Sequence, residues 1–360
     1  MKKLNVAILG ATGAVGQRFI QLLENHPWFR PAELIGSDRS AGKRYGDAVR
    51  WVLDGEPPAS VVDLPVKPLD AALDSALVFS ALPKEAADLR EIELASAGHV
   101  VCTNASAHRM DMDVPLLLPE VNGDHIRLID VQRAVRGWTT GALVANSNCT
   151  AMPVVMALAP LRVFGVKKVS VVSMQAISGA GYPGVPSLDI IDNVVPYISG
   201  EEEKLEAETL KMLGRLNSDH VEDLPALVGA SCNRVAVVDG HVVNVSVELE
   251  AQPAMDEIIA AWNNFRGADP IPMLPSAPKH PTFYLTQPDR PQPRRDRAHG
   301  NGMTTTIGRL RPCPILGYKF VALSHNTIRG AAGCSILNAE LLAVQGYLPE
   351  FMPLEAAVGG

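Results

Sequence analysis

The feature that most constrains this chain lies at its start, where the apolar run Leu4-Asn5-Val6-Ala7-Ile8-Leu9 leads directly into Gly10-Ala11-Thr12-Gly13-Ala14-Val15-Gly16. A short apolar run closed by glycine predicts a strand buried on both faces, as in a parallel sheet. Beyond the loop, Val15, Phe19, Ile20, Leu22 and Leu23 recur at helical spacing, and Pro27 ends the helix. Strand, glycine-rich turn and helix in that order suit a dinucleotide. Gly10 makes the tight turn, Gly13 lets backbone approach a pyrophosphate, and Gly16 lets helix and strand close up. Thr12, Ala14 and Val15 complete a loop that points a helix N-terminus at phosphate charge.

The pattern continues as alternating strands and helices. Residues 32–36, 76–81 and 99–102 read as further strands and 84–97 as a helix, which implies βαβ units and a parallel sheet covered on both faces. After the second strand, Ser37, Arg39 and Ser40 offer donors to a 2′-phosphate and favour NADP. Asp38 between them suits a ribose hydroxyl instead, so NAD stays open.

From Lys167 the texture changes. Residues 169–174, 234–238 and 241–249 alternate in period two, which predicts antiparallel strands with one solvated face. Asp239-Gly240 is expected to join the last two as a hairpin turn. Residues 270–297, rich in proline and arginine, predict a long surface loop or an arm gripping a partner subunit. Residues 335–347 predict a final amphipathic helix.

A length of 360 residues suits two domains. The net charge of −7 and pI near 5.7 provide no basic footprint, which argues against nucleic acid and anionic membrane as partners. No apolar run approaches the roughly 20 residues that span a bilayer. Asn5 and the glycine loop interrupt any secretory apolar core after Met1-Lys2-Lys3. The cysteines, at 102, 149, 232, 313 and 334, are odd in number and contain no CxxC. That leaves no sequence-evident zinc site, argues against a disulfide framework, and implies a reduced, cytoplasmic protein.

Cys149 stands apart. It lies in Asn146-Ser147-Asn148-Cys149-Thr150, just before the apolar helical run 154–161. A helix N-terminus favours a thiolate through its exposed N–H groups. The other four read as buried small hydrophobes. A nucleophilic thiol in a chain that opens on a dinucleotide loop suggests a cysteine that traps an acyl group beside a nicotinamide.

Read in order, GATGAVGQRF, SDRSAGKRY, TNASAHRMD, LLPEVN, SNCT, QAISGAGYPG, GEEEKLEAETLKMLG, SCNRVAVVDGH and NTIRGAAG resemble the aspartate-β-semialdehyde dehydrogenases of archaea and fungi over nearly the whole length. The resemblance implies an α/β fold: a Rossmann-type N-terminal dinucleotide-binding domain and an α+β catalytic and dimerisation domain. The C-terminal helix returns to the first, giving 1–148 plus 326–360 and 149–325. It implies Cys149 as nucleophile, Gln175 orienting the acyl group, Arg234 gripping the substrate α-carboxylate and His241 as acid/base. Asn104, Arg109 and Lys204 would hold phosphate, and Glu201 the ammonium. Ser178 and Gly179 would sit in a flexible loop beside the thiol and cofactor, and Asn326 would meet the nicotinamide amide. Elementary chemistry agrees: arginine presents a fork to carboxylates, and histidine titrates near neutrality. Flanking a 239–240 turn, Arg234 and His241 could face one pocket.

The implied reaction converts L-4-aspartyl phosphate to aspartate semialdehyde with release of phosphate, in a homodimer or homotetramer. A malonyl-CoA or succinyl-CoA reductase on the same scaffold would keep the thiol, histidine and arginine but have no use for an ammonium site. A glyceraldehyde-3-phosphate-dehydrogenase-like reading fits the motifs around Cys149 and His241 less well. A non-catalytic NADP-binding regulator would need none of these side chains.

Overall fold

A computed structural model describes residues 3–348 and Phe351. Positions 1–2, 349–350 and 352–360 of the expected first domain lie outside the described residues. The first sheet is parallel throughout and built from β1 (Leu4–Leu9), β2 (Phe29–Ile35), β3 (Val66–Lys67), β4 (Leu77–Ser80), β5 (Val100–Thr103) and β6 (Ala142–Ala145). Their order is β3-β2-β1-β4-β5-β6. The strand order reverses between β1 and β4, and in sheets of this kind ligands bind beyond the strand C-termini at that point. β4, β5 and β6 are buried along their whole length, which is why β4 and β5 stand out in the sequence as short apolar runs; β3 and β6 are strands that the sequence pattern does not single out. The 32–36 strand starts earlier than expected, at Phe29, because β2 pairs with β1 from Leu4 onward.

The glycine loop leaves β1 into the helix Ala14–Leu23. Gly10 has φ +72°, and a Cβ on it would stand 2.7 Å from the Ala81 carbonyl oxygen at the end of β4. A Cβ on Gly16 would lie 2.2 Å from the Gly10 carbonyl oxygen. Both positions therefore need glycine.

The second sheet contains β7 (Val166–Gln175), β10 (Leu227–Arg234), β11 (His241–Leu249), β12 (Thr282–Leu285), β13 (Thr305–Cys313) and β14 (Gly317–Ser324). Between β7 and β10, β8 (Arg215–Leu216) and β9 (Val221–Glu222) form a small antiparallel pair. The order of the large sheet is β10-β7-β11-β14-β13-β12. Alternation along β7 and β11 buries one face and leaves the other partly exposed, as period two predicts. The buried face receives the helix Ala151–Leu158, which also packs on the helix Glu201–Leu213. Every residue of the 151–158 helix is buried, so each large apolar side chain contributes about 1.5–3 kcal/mol of burial.

Three expectations fail here. β7 and β11 pair antiparallel as expected, but the sheet as a whole is mixed, since β10 runs parallel to β7 and β12 parallel to β13. No hairpin forms at 239–240: β10 ends at Arg234, and β7 lies between β10 and β11. The alternating residues 235–238 instead follow the exit of β7, where Ile177 and Ser178 N–H groups donate to Val237 and Val238 carbonyls. The final helix, Gly333–Val344, is buried from Gly333 through Ala343 rather than amphipathic, because it packs against β5 and the first helix. The 270–297 stretch carries short ordered pieces, Ile271–Met273, β12 and Pro293–Asp296.

Candidate active site

Three strand ends meet at one edge of the second sheet. Gln175, last in β7, pairs with Arg234, last in β10, while the next pair on the other side, Met174 with Val242, sets His241 at the start of β11 beside them. Antiparallel β11 and parallel β10 thus bring sequence-distant residues to one place without a hairpin. Opposite them, Cys149 sits in the turn entering the 151–158 helix.

Cys149 Sγ lies 3.2 Å from His241 Nε2. On the far side of the ring, the Ala176 N–H donates to Nδ1 at 3.0 Å. Nδ1 therefore presents its lone pair, and the neutral imidazole carries its proton on Nε2, aimed at the sulfur. Burial, followed by Arg234 and His325, lowers the His241 pKa to about 3. These surroundings favour the neutral imidazole, with its Nε2–H toward the sulfur, over one that titrates near neutrality.

The expected helix-activated thiolate is disfavoured too. Burial, then Glu201, pushes the Cys149 thiol up to about 12, while Arg109 and Arg234 pull the other way. The helix N–H groups of Thr150 and Ala151 are already engaged by Asn148 Oδ1, at 2.6 and 3.1 Å. N–H groups already engaged do little for a sulfur in a desolvated site. These surroundings favour the protonated thiol over a preformed thiolate.

Arg234 donates from Nη1 to the Ala176 carbonyl at 2.8 Å, and the buried Gln175 amide donates to Ser173 Oγ at 3.2 Å. Gly179 closes over this group: a Cβ there would lie 2.9 Å from Arg234 Nη1 and 3.0 and 3.1 Å from His241 Cε1 and Nε2. Gly330 approaches from the other side, where a Cβ would stand 2.8 Å from the Cys149 Cβ. Arg18, on the helix that follows the glycine loop, donates to Thr327 Oγ1 at 3.2 Å. The 326–330 segment thus runs from the helix that follows the glycine loop to the thiol.

Two family models match the chain: the semialdehyde dehydrogenase NAD-binding domain over residues 5–129 and the semialdehyde dehydrogenase dimerisation domain over 158–329. An aspartate-semialdehyde dehydrogenase of Archaeoglobus fulgidus is 49% identical, covering 94% of this chain and 98% of its own. That of Trichophyton rubrum is 44% identical over 96% of this chain and 99% of its own. The chain belongs to the aspartate-semialdehyde dehydrogenase family. Among solved structures, the Candida albicans aspartate semialdehyde dehydrogenase with NADP superposes with a TM-score of 0.88 at 40% identity, covering 96% of this chain and 100% of that one. The likeness to archaeal and fungal members bears out the resemblance carried by the motifs.

The remaining residues expected in an aspartate-semialdehyde dehydrogenase divide by what already occupies them. Gly13 is the N-cap of the 14–23 helix and has no side chain to spend on the first-turn N–H groups, so those donors fit a pyrophosphate. Ser37 and Arg39 are exposed beyond β2, free to meet a 2′-phosphate, with Asp38 exposed between them. Ser40 is turned inward and donates to the Ser37 carbonyl at 2.8 Å, which fits a turn-forming role. Asn326 accepts from the Gly240 N–H and donates to Ser178 Oγ, so its amide ties the 239–240 turn to the loop over the thiol.

On the phosphate side, Arg109 is buried and donates to Glu208 and the Asn104 carbonyl, while its Nε has no partner among the described residues. A buried, unpartnered donor fits an anion. The Asn104 side chain accepts from Asn146 Nδ2 and donates to the Ser80 carbonyl. Glu201 accepts from Asn148 Nδ2 and Thr150 Oγ1, each at 3.0 Å, and half-buried Lys204 lies one turn further along the same helix.

Sequence reasoning passed over Glu208 and Lys211. Both lie on the 201–213 helix at the spacing that continues the 201, 204 face, and both are buried. That spacing was the available signal. The sequence pattern likewise assigns nothing to Asn148, whose Oδ1 accepts from the Thr150 and Ala151 N–H groups after the thiol.

Proposed function

We propose that this chain catalyses NADPH-dependent reductive dephosphorylation of L-4-aspartyl phosphate to L-aspartate 4-semialdehyde through a thioester on Cys149, in lysine, threonine and methionine biosynthesis. The observation that carries this reading is the 3.2 Å approach of Cys149 Sγ to a tautomer-locked His241 Nε2, with Arg234 alongside, at the end of the segment leading from the helix that follows the glycine loop. Residues 1–148 with 326–360 would hold the cofactor and 149–325 the substrate, in a cytoplasmic homodimer or homotetramer.

In this reading the loop 10–16 holds the pyrophosphate, Ser37 and Arg39 face the 2′-phosphate, and the Ser178, Gly179 and Asn326 group borders the nicotinamide. When bound, the nicotinamide supplies the hydride that reduces the thioester. Arg234 pairs with the substrate α-carboxylate, which fixes the carbonyl against the sulfur, with Gln175 orienting the acyl group. Glu201 receives the ammonium. Cys149 Sγ bonds to the β-carbonyl carbon, the carbon–oxygen bond to phosphate breaks, and the thiol proton departs with the phosphate. Arg109, with Lys204 and Asn104, binds that leaving group.

His241 cannot take the thiol proton while the Ala176 N–H occupies Nδ1. Its Nε2–H instead donates to negative charge building on the thiohemiacetal oxygen next to the sulfur. Collapse of this oxyanion breaks the carbon–sulfur bond and leaves aldehyde and thiolate, which takes one proton from solvent to restore the thiol.

The test compares NADPH oxidation with aspartyl phosphate against malonyl-CoA and succinyl-CoA. Turnover with aspartyl phosphate alone is expected, abolished in Cys149→Ser with NADPH affinity retained. Preference for an acyl-CoA would replace the substrate assignment, and turnover with neither would leave a binding protein.

A further inference from the structure

The 201–213 helix turns Glu201, Lys204, Glu208 and Lys211 toward one side, a stripe of alternating charge at helical spacing. Glu208 is 1% exposed, and its two carboxylate oxygens serve different segments. Oε1 accepts from Arg109 Nη1 at 2.9 Å, and Oε2 accepts from the Asn148 N–H at 2.5 Å. Asn148 is the residue immediately before the nucleophile, and its side chain accepts from the Thr150 and Ala151 N–H groups while donating to Glu201. Three positions further along, Lys211 Nζ donates to the carbonyls of Arg109, Asp111 and Val114 at 2.7, 2.8 and 3.1 Å. One helix therefore grips Arg109 at both guanidinium and backbone, and grips the backbone N–H of the residue before Cys149.

We infer that Glu208 is a positioning residue that makes Arg109 and the Cys149 turn one rigid unit, so that an anion on Arg109 is felt by the thiol. The inference rests on the proposed phosphate-releasing reaction and deepens it. Arg109 spends one N–H of Nη1 on Glu208 and one of Nη2 on the Asn104 carbonyl, which leaves Nε without a partner among the described residues and a second N–H on each Nη. A phosphate binding there has to orient against a guanidinium already fixed to the nucleophile segment by a single carboxylate. Such a bridge converts leaving-group binding into placement of the sulfur, the use of remote binding that raises kcat and not affinity alone.

Two measurements test this on the full chain. In the oxidative direction, with aspartate semialdehyde, NADP and inorganic phosphate, Glu208→Gln removes one of the two acceptors. It is expected to raise the phosphate KM and lower kcat by about ten-fold each, with the KM for NADP and aldehyde within about two-fold. Unchanged phosphate parameters, or all three KM values rising together with a fallen melting temperature, would overturn the role. The second measurement needs no turnover: alkylation of Cys149 by iodoacetamide, with Cys149→Ser as background. Saturating inorganic phosphate is expected to change the wild-type rate by about three-fold or more and to leave the Glu208→Gln rate unaltered. A wild-type thiol indifferent to phosphate sinks the coupling, whereas loss of phosphate-dependent turnover with the coupling intact would count against the reaction assignment only. Glu208→Asp, which keeps the charge and withdraws it by one methylene, serves if the glutamine variant does not fold.

Discussion

At the scale of single residues, the surroundings favour a neutral thiol and a neutral imidazole, and the backbone N–H of Ala176 decides which ring nitrogen carries the proton. A preformed thiolate–imidazolium pair would have been the simplest guess from the residue types. Desolvation, which outweighs the pull of Arg109 and Arg234 on the thiol, favours the neutral partners instead. The consequence is measurable. With the thiol pushed up to about 12, the thiolate fraction rises tenfold per pH unit throughout the neutral range. Alkylation of Cys149 in the free enzyme should therefore climb steadily from pH 6 to pH 9, without levelling. A plateau with an apparent pKa below 8 would show an activated thiolate and refute the assignment.

Elements matter because each site residue is delivered by the end of a strand or the first turn of a helix. β10, β7 and β11 deliver Arg234, Gln175 and His241 through register alone. The 177–180 loop then lies so near that only hydrogen fits at position 179. Gly179→Ala would drive a methyl group to about 3 Å from His241 Nε2 and Arg234 Nη1, and those groups are held by Ala176 from behind. A shift of a few tenths of an ångström in either group should lower kcat/KM by about ten- to a hundred-fold, since reacting groups tolerate little misplacement. The melting temperature should barely change, because the residue is exposed. Kinetics within two-fold of wild type would mean the loop swings away freely.

Across the whole molecule, buried histidines tie stability to pH. Burial lowers His241 to about 3 and both His125 and His325 to about 4. A histidine with a depressed folded pKa contributes fully above its unfolded value, near 6.5, and loses that contribution as pH falls toward the folded value. Between about pH 6 and 4, the unfolded chain therefore binds up to three protons that the native fold refuses. Each proton carries a slope of about 1.4 kcal/mol per pH unit. Calorimetry should show the melting temperature falling steadily over that window. Replacing His125 with Gln should make the fall shallower, and a flat profile from pH 6.5 to 4.5 would contradict the burial argument.

Much of this was legible from the string alone. The β1–glycine-loop–helix unit is local: apolar run, glycines and helical spacing are adjacent in sequence, and each reflects sterics that act over a few residues. The ordered motifs likewise led to Cys149, Arg234 and His241, three side chains that the fold does gather. Long-range order was not legible. Nothing local distinguishes 234–238 pairing with β11 from those residues following β7, because alternation records a half-buried face and not the neighbour beside it. Nor can a sequence reveal that Ala176 locks a histidine, that Asn148 engages the N–H groups of Thr150 and Ala151, or that Glu208 joins Arg109 to the backbone N–H of Asn148, the residue before the nucleophile. Residue type supplied the chemistry available. Burial and hydrogen-bond partners, which exist only once strands distant in sequence have packed, decided its protonation and aim.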